Sequence, residues 1–345
     1  MSMQAPWLAV TPGDPEGVGP EIAWKCIQRH PAWGNRCIFF GSEKALRRVG
    51  AQVETLSFDD LKSYLATARP SLEPLIRLVP APETPPRKAK KDFSLPGYQS
   101  GWAIETAVQS IQKKHLAGLV TGPISKERLQ DGGYRFAGHT EMLADLCRVK
   151  EVTMMLANPA LRVSLVTVHV PLKKVAALTT PAAVTRAIRQ TADFLRNRCG
   201  IERPRIAVLG LNPHAGEAGR LGNEEQKVLR PVLKRLSRGT DLVLDGPFPA
   251  DTFFALHMSR TPPERHDAVV SCYHDQGLTA VKLVDFKRTV NLTLGLPWIR
   301  TSVDHGTAFD IAGKGIADPS SFEAAFEEAS RLTLQRVPAS QRAGE

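Results

Sequence analysis

Three apolar runs of this chain end at or just before a histidine. Ser164-Leu165-Val166-Thr167-Val168 leads to His169, Ile206-Ala207-Val208-Leu209-Gly210-Leu211 leads through Asn212-Pro213 to His214, and Ala268-Val269-Val270-Ser271-Cys272 leads to His274. Runs of this kind read as buried strands. One histidine at a strand end is more often structural than a ligand. Three at comparable positions carry more weight, because a parallel sheet delivers the carboxyl ends of its strands to one edge, where open α/β sheets place their ligands. Neutral imidazoles converging there match an open catalytic metal site, with positions left for water and substrate. Nitrogen ligands without thiolate suit zinc or cobalt; magnesium or manganese would need help from carboxylates. Asp251 and Asp275 lie close to such ends and are candidates for that help, as ligands or as groups that orient an imidazole.

A second set of residues could hold an anion. Lys282, Asn291 and Arg300 surround a run that reads as a strand. A point charge, a planar fork and a neutral amide together make a sensible receptor for a phosphate monoester. On spacing alone, scattered surface charge is the simpler reading. Gly138-His139-Thr140-Glu141 opens a helical stretch whose first N–H groups and Thr140 hydroxyl could bind an anion, or simply cap the helix. The dinucleotide fingerprint G-x-G-x-x-G and the P-loop are both missing. Gly13-Asp14-Pro15-Glu16-Gly17-Val18-Gly19-Pro20-Glu21 has the wrong spacing for either, and its three acids would repel phosphate. With Pro20 suited to a first helical turn, it reads as a tight strand-to-helix turn lining a cleft.

The elements that must position these residues alternate along the chain. Strand-like runs at 7–10, 37–40, 118–122, 162–169, 206–211 and 267–272 are separated by helical stretches, among them 20–28, 98–116, 181–198 and 224–236. This alternation predicts an α/β protein with a largely parallel sheet, and 292–296 reads as a further strand, parallel or antiparallel. The 345 residues are enough for two domains, and 42% hydrophobic with 23% charged residues is an ordinary globular balance. No apolar run approaches bilayer length, and the one near the N-terminus is too short for a signal peptide. The five cysteines are scattered, with no C-x-x-C pair, and read as reduced thiols of a cytoplasmic protein. The net charge of +10 admits nucleic acid, anionic small ligands or a merely basic surface. Its densest run, Arg87-Lys88-Ala89-Lys90-Lys91, follows a proline-rich stretch and reads as a solvated loop. No RNP-like, zinc-finger or helix-turn-helix signature accompanies it, so neither nucleic acid nor membrane is expected as a partner.

Seven collinear segments make the reading more specific: TPGDPEGVGPEI, TGPISK, GHTEMLA, LNPHAGEAG, GPFPADT, YHDQG and VNLTLGLPWIRTSVDHGTAFDIAGKG. Together they closely resemble the 4-hydroxythreonine-4-phosphate dehydrogenase family, from residue 11 to about residue 320. The resemblance implies an isocitrate/isopropylmalate dehydrogenase-like α/β fold, two domains with largely parallel sheets around a central cleft. Residues 1–125 with 300–345 would form the nucleotide-side domain, and 126–299 the metal, substrate and dimerisation domain. It implies a homodimer whose active site is completed across the interface. Its metal ligands fall on His169, His214 and His274, and its substrate contacts on His139, Thr140, Lys282, Asn291 and Arg300. The glycines after His214 are then expected to let ligands approach the backbone. HGTAFDIAGKGIADP is similar to the loop that holds the adenosine end of NAD in isocitrate and isopropylmalate dehydrogenases, which puts cofactor contacts on His305, Gly306, Thr307, Ala308 and Asp310.

The implied reaction is NAD-dependent oxidation of the C3 hydroxyl of 4-phosphohydroxy-L-threonine, followed by decarboxylation to 3-amino-2-oxopropyl phosphate, a precursor of pyridoxine phosphate. It requires one divalent metal per site (zinc, cobalt or magnesium). NADP is the alternative cofactor, although no arginine cluster marks a 2′-phosphate site. The general base is not identified. Arg135 and Phe136, before GHT, depart from the family pattern at the pocket edge. The alternatives are dehydrogenation of a four-carbon aldonate phosphate (threonate or erythronate 4-phosphate) and, in another class, a phosphotransacetylase-like acyl transfer. Lys282, Asn291 and Arg300 favour a phosphorylated substrate over a ring diol without separating an amino acid from an aldonate.

Overall fold

The computed structural model describes residues 6–87 and 92–334, so the basic run read as a solvated loop lies, beyond Arg87, outside the described residues. Among the described residues twelve strands follow one another: β1 (Leu8–Thr11), β2 (Cys37–Gly41), β3 (Val53–Thr55), β4 (Ile76–Pro80), β5 (Gly118–Thr121), β6 (Thr153–Ala157), β7 (Arg162–Leu165), β8 (Arg205–Leu209), β9 (Val243–Phe248), β10 (Ala268–Ser271), β11 (Val290–Leu294) and β12 (Ile299–Ser302). The chain divides into two compact units, Met1–Lys150 with Leu296–Leu334, and Glu151–Gly295. The first division falls after Lys150 rather than near residue 125. Helix Lys126–Asp131 packs so closely on helix Leu95–Gln112 that a Cβ on Gly97 would lie 1.7 Å from the Arg128 carbonyl oxygen. Met142 and Leu143 of the following helix, His139–Leu146, belong to the same core as Ile104, Val108 and Leu119. Trp298 joins that core too, and draws the second division ahead of residue 300.

In the first unit the strand order is β3-β4-β2-β1-β5-β12, all parallel. The central strands are buried along their whole length, as strands covered on both faces by helices must be. Local signals set the helix starts. Ser94 accepts from the Gly97 N–H ahead of helix Leu95–Gln112, and Pro20 occupies the first turn of helix Gly19–Arg29. At the carboxyl end of the sheet the chain leaving β1 touches the chain leaving β5: a Cβ on Gly122 would lie 2.0 Å from the Pro12 carbonyl oxygen.

In the second unit the order is β11-β6-β7-β10-β8-β9. β7, β10, β8 and β9 run parallel, and β6 is antiparallel to both β7 and β11. The strand read near 292–296 is thus the antiparallel β11. The strand read over 162–169 ends at Leu165, although the Val166 and Thr167 N–H groups still donate to the Ser271 and Cys272 carbonyls. Val269 of β10 aligns with Val163 of β7 on one side and with Ala207 of β8 on the other. These three residues lie in one buried cluster with Leu165, Leu209 and Leu278. The strands that carry the three histidines are therefore consecutive neighbours of one direction.

The Gly122 contact gives a direct check on the first unit. Gly122→Ala should destabilise the protein by about 1–3 kcal/mol or more in urea unfolding, because backbone, not a flexible side chain, would have to move. Gly306→Ala, where a Cβ meets nothing within 4 Å, should stay within about 0.5 kcal/mol of wild type.

Candidate active site

Side-chain hydrogen bonds tie together the carboxyl ends of β7, β10 and β8. Thr167, past the end of β7, donates to the Cys272 carbonyl from its N–H at 3.1 Å and from its hydroxyl at 2.8 Å. The Cys272 N–H donates to Gln276 Oε1 at 2.7 Å, and Gln276 Nε2 donates to the Gly210 carbonyl at 2.6 Å. One amide thus bridges β10 to β8 and answers two backbone groups that leave the ladder at the strand ends. The bracing brings two of the three histidines together: the rings of His169 and His274 stand 5.6 Å apart between centroids. His274 donates from Nδ1 to Asp275 at 2.7 Å. A metal-binding imidazole is commonly held in this way, its other ring nitrogen bonded to a carboxylate. Asp251 is exposed in the first turn of helix Ala250–Ser259.

His214 stands differently. Residues His214 to Ala218 all have positive φ, with His214 at φ 53°, ψ 30°, Ala215 at φ 51°, ψ 42° and Glu217 at φ 41°, ψ 57°. This is a left-handed turn, which costs roughly 1–2 kcal/mol per non-glycine residue. It leaves the His214 side chain exposed. Among the described residues no three His, Cys, Asp or Glu side chains are gathered closely enough to hold a metal ion, so His214 does not complete a three-donor set with His169 and His274 within the chain. The glycines beyond His214 serve another purpose than the expected one. A Cβ on Gly216 would lie 2.6 Å from Glu225 Oε2, and one on Gly222 would lie 2.4 Å from Asn212 Nδ2. They make room for the chain's own polar side chains.

The donor chemistry nonetheless fits a borderline divalent cation. Two imidazoles stand close together, one of them bonded to a carboxylate, and the nearby thiol does not compete. Burial, with the Glu225 carboxylate adding to it, pushes Cys272 up to about 12, so it stays protonated.

The predicted phosphate receptor is divided between the units. Arg300 on β12 is buried in the first unit and donates from Nη2 to Thr121 Oγ1 at 2.8 Å. Burial lowers its guanidinium to about 10, which leaves it charged at neutral pH. In the same unit His139 opens its helix with a buried Nε2 that has no hydrogen-bond partner, and Thr140 follows it, half-buried. Burial, then the Arg300 charge, holds the His139 imidazole well below its usual range, so it is neutral. In the second unit Lys282 lies near the end of helix His274–Val284, its Nζ 5.6 Å from the Phe286 ring centroid, and Asn291 lies on β11 opposite Leu156.

The expected cofactor segment lies in the first unit, with His305, Gly306 and Asp310 exposed and Thr307 and Ala308 half-buried. The acidic turn at 13–21 holds it. The Val18 N–H donates to the Thr307 carbonyl at 2.9 Å, and the buried Glu21 carboxylate accepts from Gly313, Gly315 and Ala317 N–H at 3.0, 3.2 and 2.9 Å. Arg128 lies 4.3 Å over the Phe309 ring. Glu21, Thr121, Glu225 and Gln276 were not among the sequence candidates. Each has at least one partner far away in sequence, which no local spacing marks.

In the second unit, adjacent parallel strand ends bearing imidazoles are the arrangement of an α/β enzyme site; in the first, a buried arginine beside a neutral histidine suits a small anion. The chain belongs to the family of the pyridoxal phosphate biosynthetic protein PdxA, whose model it matches over residues 33–329. A 4-hydroxythreonine-4-phosphate dehydrogenase of Stenotrophomonas maltophilia (strain K279a) is 43% identical over 336 residues, covering 96% of this chain and 98% of the relative. The crystal structure of the Klebsiella pneumoniae 4-hydroxythreonine-4-phosphate dehydrogenase is similar at a TM-score of 0.83 and 34% identity, with 96% of this chain and 99% of that one covered. A terephthalate 1,2-cis-dihydrodiol dehydrogenase from Burkholderia xenovorans LB400 follows at a TM-score of 0.63 and 26% identity, covering 95% and 98%.

The neutral state of His139 has a measurable consequence. Its pKa in the fold is below the unfolded value of 6.5, so below that pH the unfolded chain binds the proton that the folded one refuses. Stability contributed by His139 is therefore present above pH 6.5 and lost as the pH falls from there toward the depressed folded value. Buried His257, lowered to about 4, adds to the same acid loss. Denaturant unfolding from pH 7 to pH 5 should show wild type losing more stability than His139→Gln; identical slopes would contradict a neutral His139.

Proposed function

We propose that this chain is a 4-hydroxythreonine-4-phosphate dehydrogenase. It oxidises the C3 hydroxyl of 4-phosphohydroxy-L-threonine with NAD as hydride acceptor, and the resulting β-keto acid loses CO2 to give 3-amino-2-oxopropyl phosphate. The observation that carries this reading is the 43% identity over 336 residues to a dehydrogenase of that name. No helix among the described residues is long and apolar enough to cross a membrane.

His169, His274 and His214 are the proposed holders of one divalent metal, with zinc, cobalt and magnesium as candidates. When bound, it would supply a Lewis acid that makes the C3 hydroxyl more acidic and polarises the ketone before decarboxylation. The reading includes a homodimer in which a second copy completes the donor set. Two features support this: His214 is exposed on its own turn, and the second unit exposes Leu172, Leu178, Leu221, Leu256, Leu283 and Phe286. Arg300, Lys282 and Asn291 bind the phosphate, the arginine as a guanidinium oriented by Thr121. Phosphate anchoring fixes the reacting carbon against the nicotinamide. The orphaned Nε2 of His139 hydrogen-bonds a substrate oxygen, and its neutral ring adds no second charge beside Arg300. Thr140 adds a hydroxyl donor. The segment from His305 to Asp310 receives the nucleotide, where the open space over Gly306 lets a ligand approach the backbone.

NADH formation from 4-phosphohydroxy-L-threonine with divalent metal present is the decisive assay, run beside threonate and erythronate 4-phosphates. No NADH from the amino acid, or faster turnover of an aldonate, would overturn the substrate assignment. Alanine at His169, His214 or His274 should abolish metal retention and turnover while the fold persists. Arg300→Met should weaken binding of phosphorylated substrate by about one to two decades, the value of roughly 1.5–3 kcal/mol for a charged hydrogen bond. It should affect the dephosphorylated compound and NAD far less. Gly306→Ala should raise KM for NAD at unchanged stability.

A further inference from the structure

Beyond the strand ends of the second unit, one buried carboxylate has a role that the donor set alone does not explain. Glu225 is 1% exposed and lies past the far end of the turn that carries His214. Its Oε1 accepts from the Leu211 N–H at 2.7 Å and from the Asn212 N–H at 2.8 Å, and its Oε2 accepts from Asn212 Nδ2 at 3.0 Å. Both backbone donors sit where the chain has left β8 and has no neighbouring strand to bond with. Asn212 Nδ2 also donates to Glu224 at 2.7 Å, so the carboxylates of two consecutive residues grip one amide. The fit is close: a Cβ on Gly216 would lie 2.6 Å from Glu225 Oε2, and one on Gly210 would lie 3.2 Å from Oε1. The clasp closes the loop from Leu211 to Glu225 just before the left-handed turn begins at His214.

We infer that Glu225 is the positioning residue for His214, holding the strained turn in the conformation that presents its imidazole. The inference rests on reading His214 as a metal donor. An L-residue run with positive φ persists only where its surroundings over-determine it. Here the buried hydrogen bonds immediately upstream meet that condition. Gln276 fixes Gly210 from the β10 side, and Glu225 fixes the next two residues, so the chain enters the turn with its direction already set.

The test uses the full-length protein and Co2+ alone. Hydrogen exchange over residues 210–222 is measured without metal, and Co2+ affinity is measured by titration with visible absorption as the signal. Glu225→Ala, and Glu225→Asp in case the alanine variant fails to fold, should speed exchange in this segment. They should weaken Co2+ binding by about 10–100-fold, the usual effect of removing a group that orients a ligand. Glu225→Gln keeps an oxygen for the Leu211 and Asn212 N–H groups and should stay within about threefold of wild type. His214→Ala separates the two ideas. If it weakens Co2+ binding while Glu225→Ala and Glu225→Asp do not, the positioning role is overturned and the donor reading stands. If His214→Ala binds Co2+ as wild type does, the donor reading fails and the inference with it. A lowered thermal midpoint with unchanged Co2+ affinity would mark Glu225 as merely structural and also overturn the inference.

Discussion

The pairing of β10 with β7 on one side and β8 on the other is the constraint on which the candidate centre depends. Parallel strands share a direction, so whatever follows their carboxyl ends emerges on one edge. Pairing alone would leave the last N–H and C=O groups of each strand unanswered. Thr167 and Gln276 answer them by bonding across the strands, which stiffens the edge where the imidazoles emerge. The His169 and His274 rings stand 5.6 Å apart at this braced edge.

The two units solve the same local problem in the same way. Each has a long irregular segment after a strand, with backbone N–H groups that no ladder can satisfy, and each supplies a buried glutamate to accept from them. In the first unit Glu21 gathers three N–H groups of the segment from Gly313 to Ala317. In the second, Glu225 gathers those of Leu211 and Asn212. Hydrogen bonds to an ionised acceptor are roughly twice as strong as neutral ones, and at Glu21 the Lys25 ammonium 2.9 Å away adds to the backbone donors. These segments can therefore be irregular without being loose, which suits positions that must meet ligands.

Charge is arranged with equal economy around Arg300. Its guanidinium is buried, oriented by Thr121 and still charged, and it helps to keep His139 neutral. A second cation there would repel the first.

Much of this was legible in the sequence. The alternation of apolar runs with helical stretches carried the α/β class, and the boundaries of the long helices and the central strands lie within a few residues of the expected ones, because both rest on periodicity and local caps. The seven collinear segments carried the family. The candidate histidines were legible because each follows a buried strand. Short β3, β4 and β9 were not, since strands of three to six residues carry little hydrophobic pattern. Only the tertiary structure decided the order of the strands, and with it that β10 lies between β7 and β8. It also decided that His214 sits exposed on a left-handed turn, and that Glu21 and Glu225 accept from backbone N–H groups. The physical reason is common to all three: hydrogen bonds between residues distant in the chain depend on which surfaces meet in the folded core, and nothing in a local pattern encodes the partner.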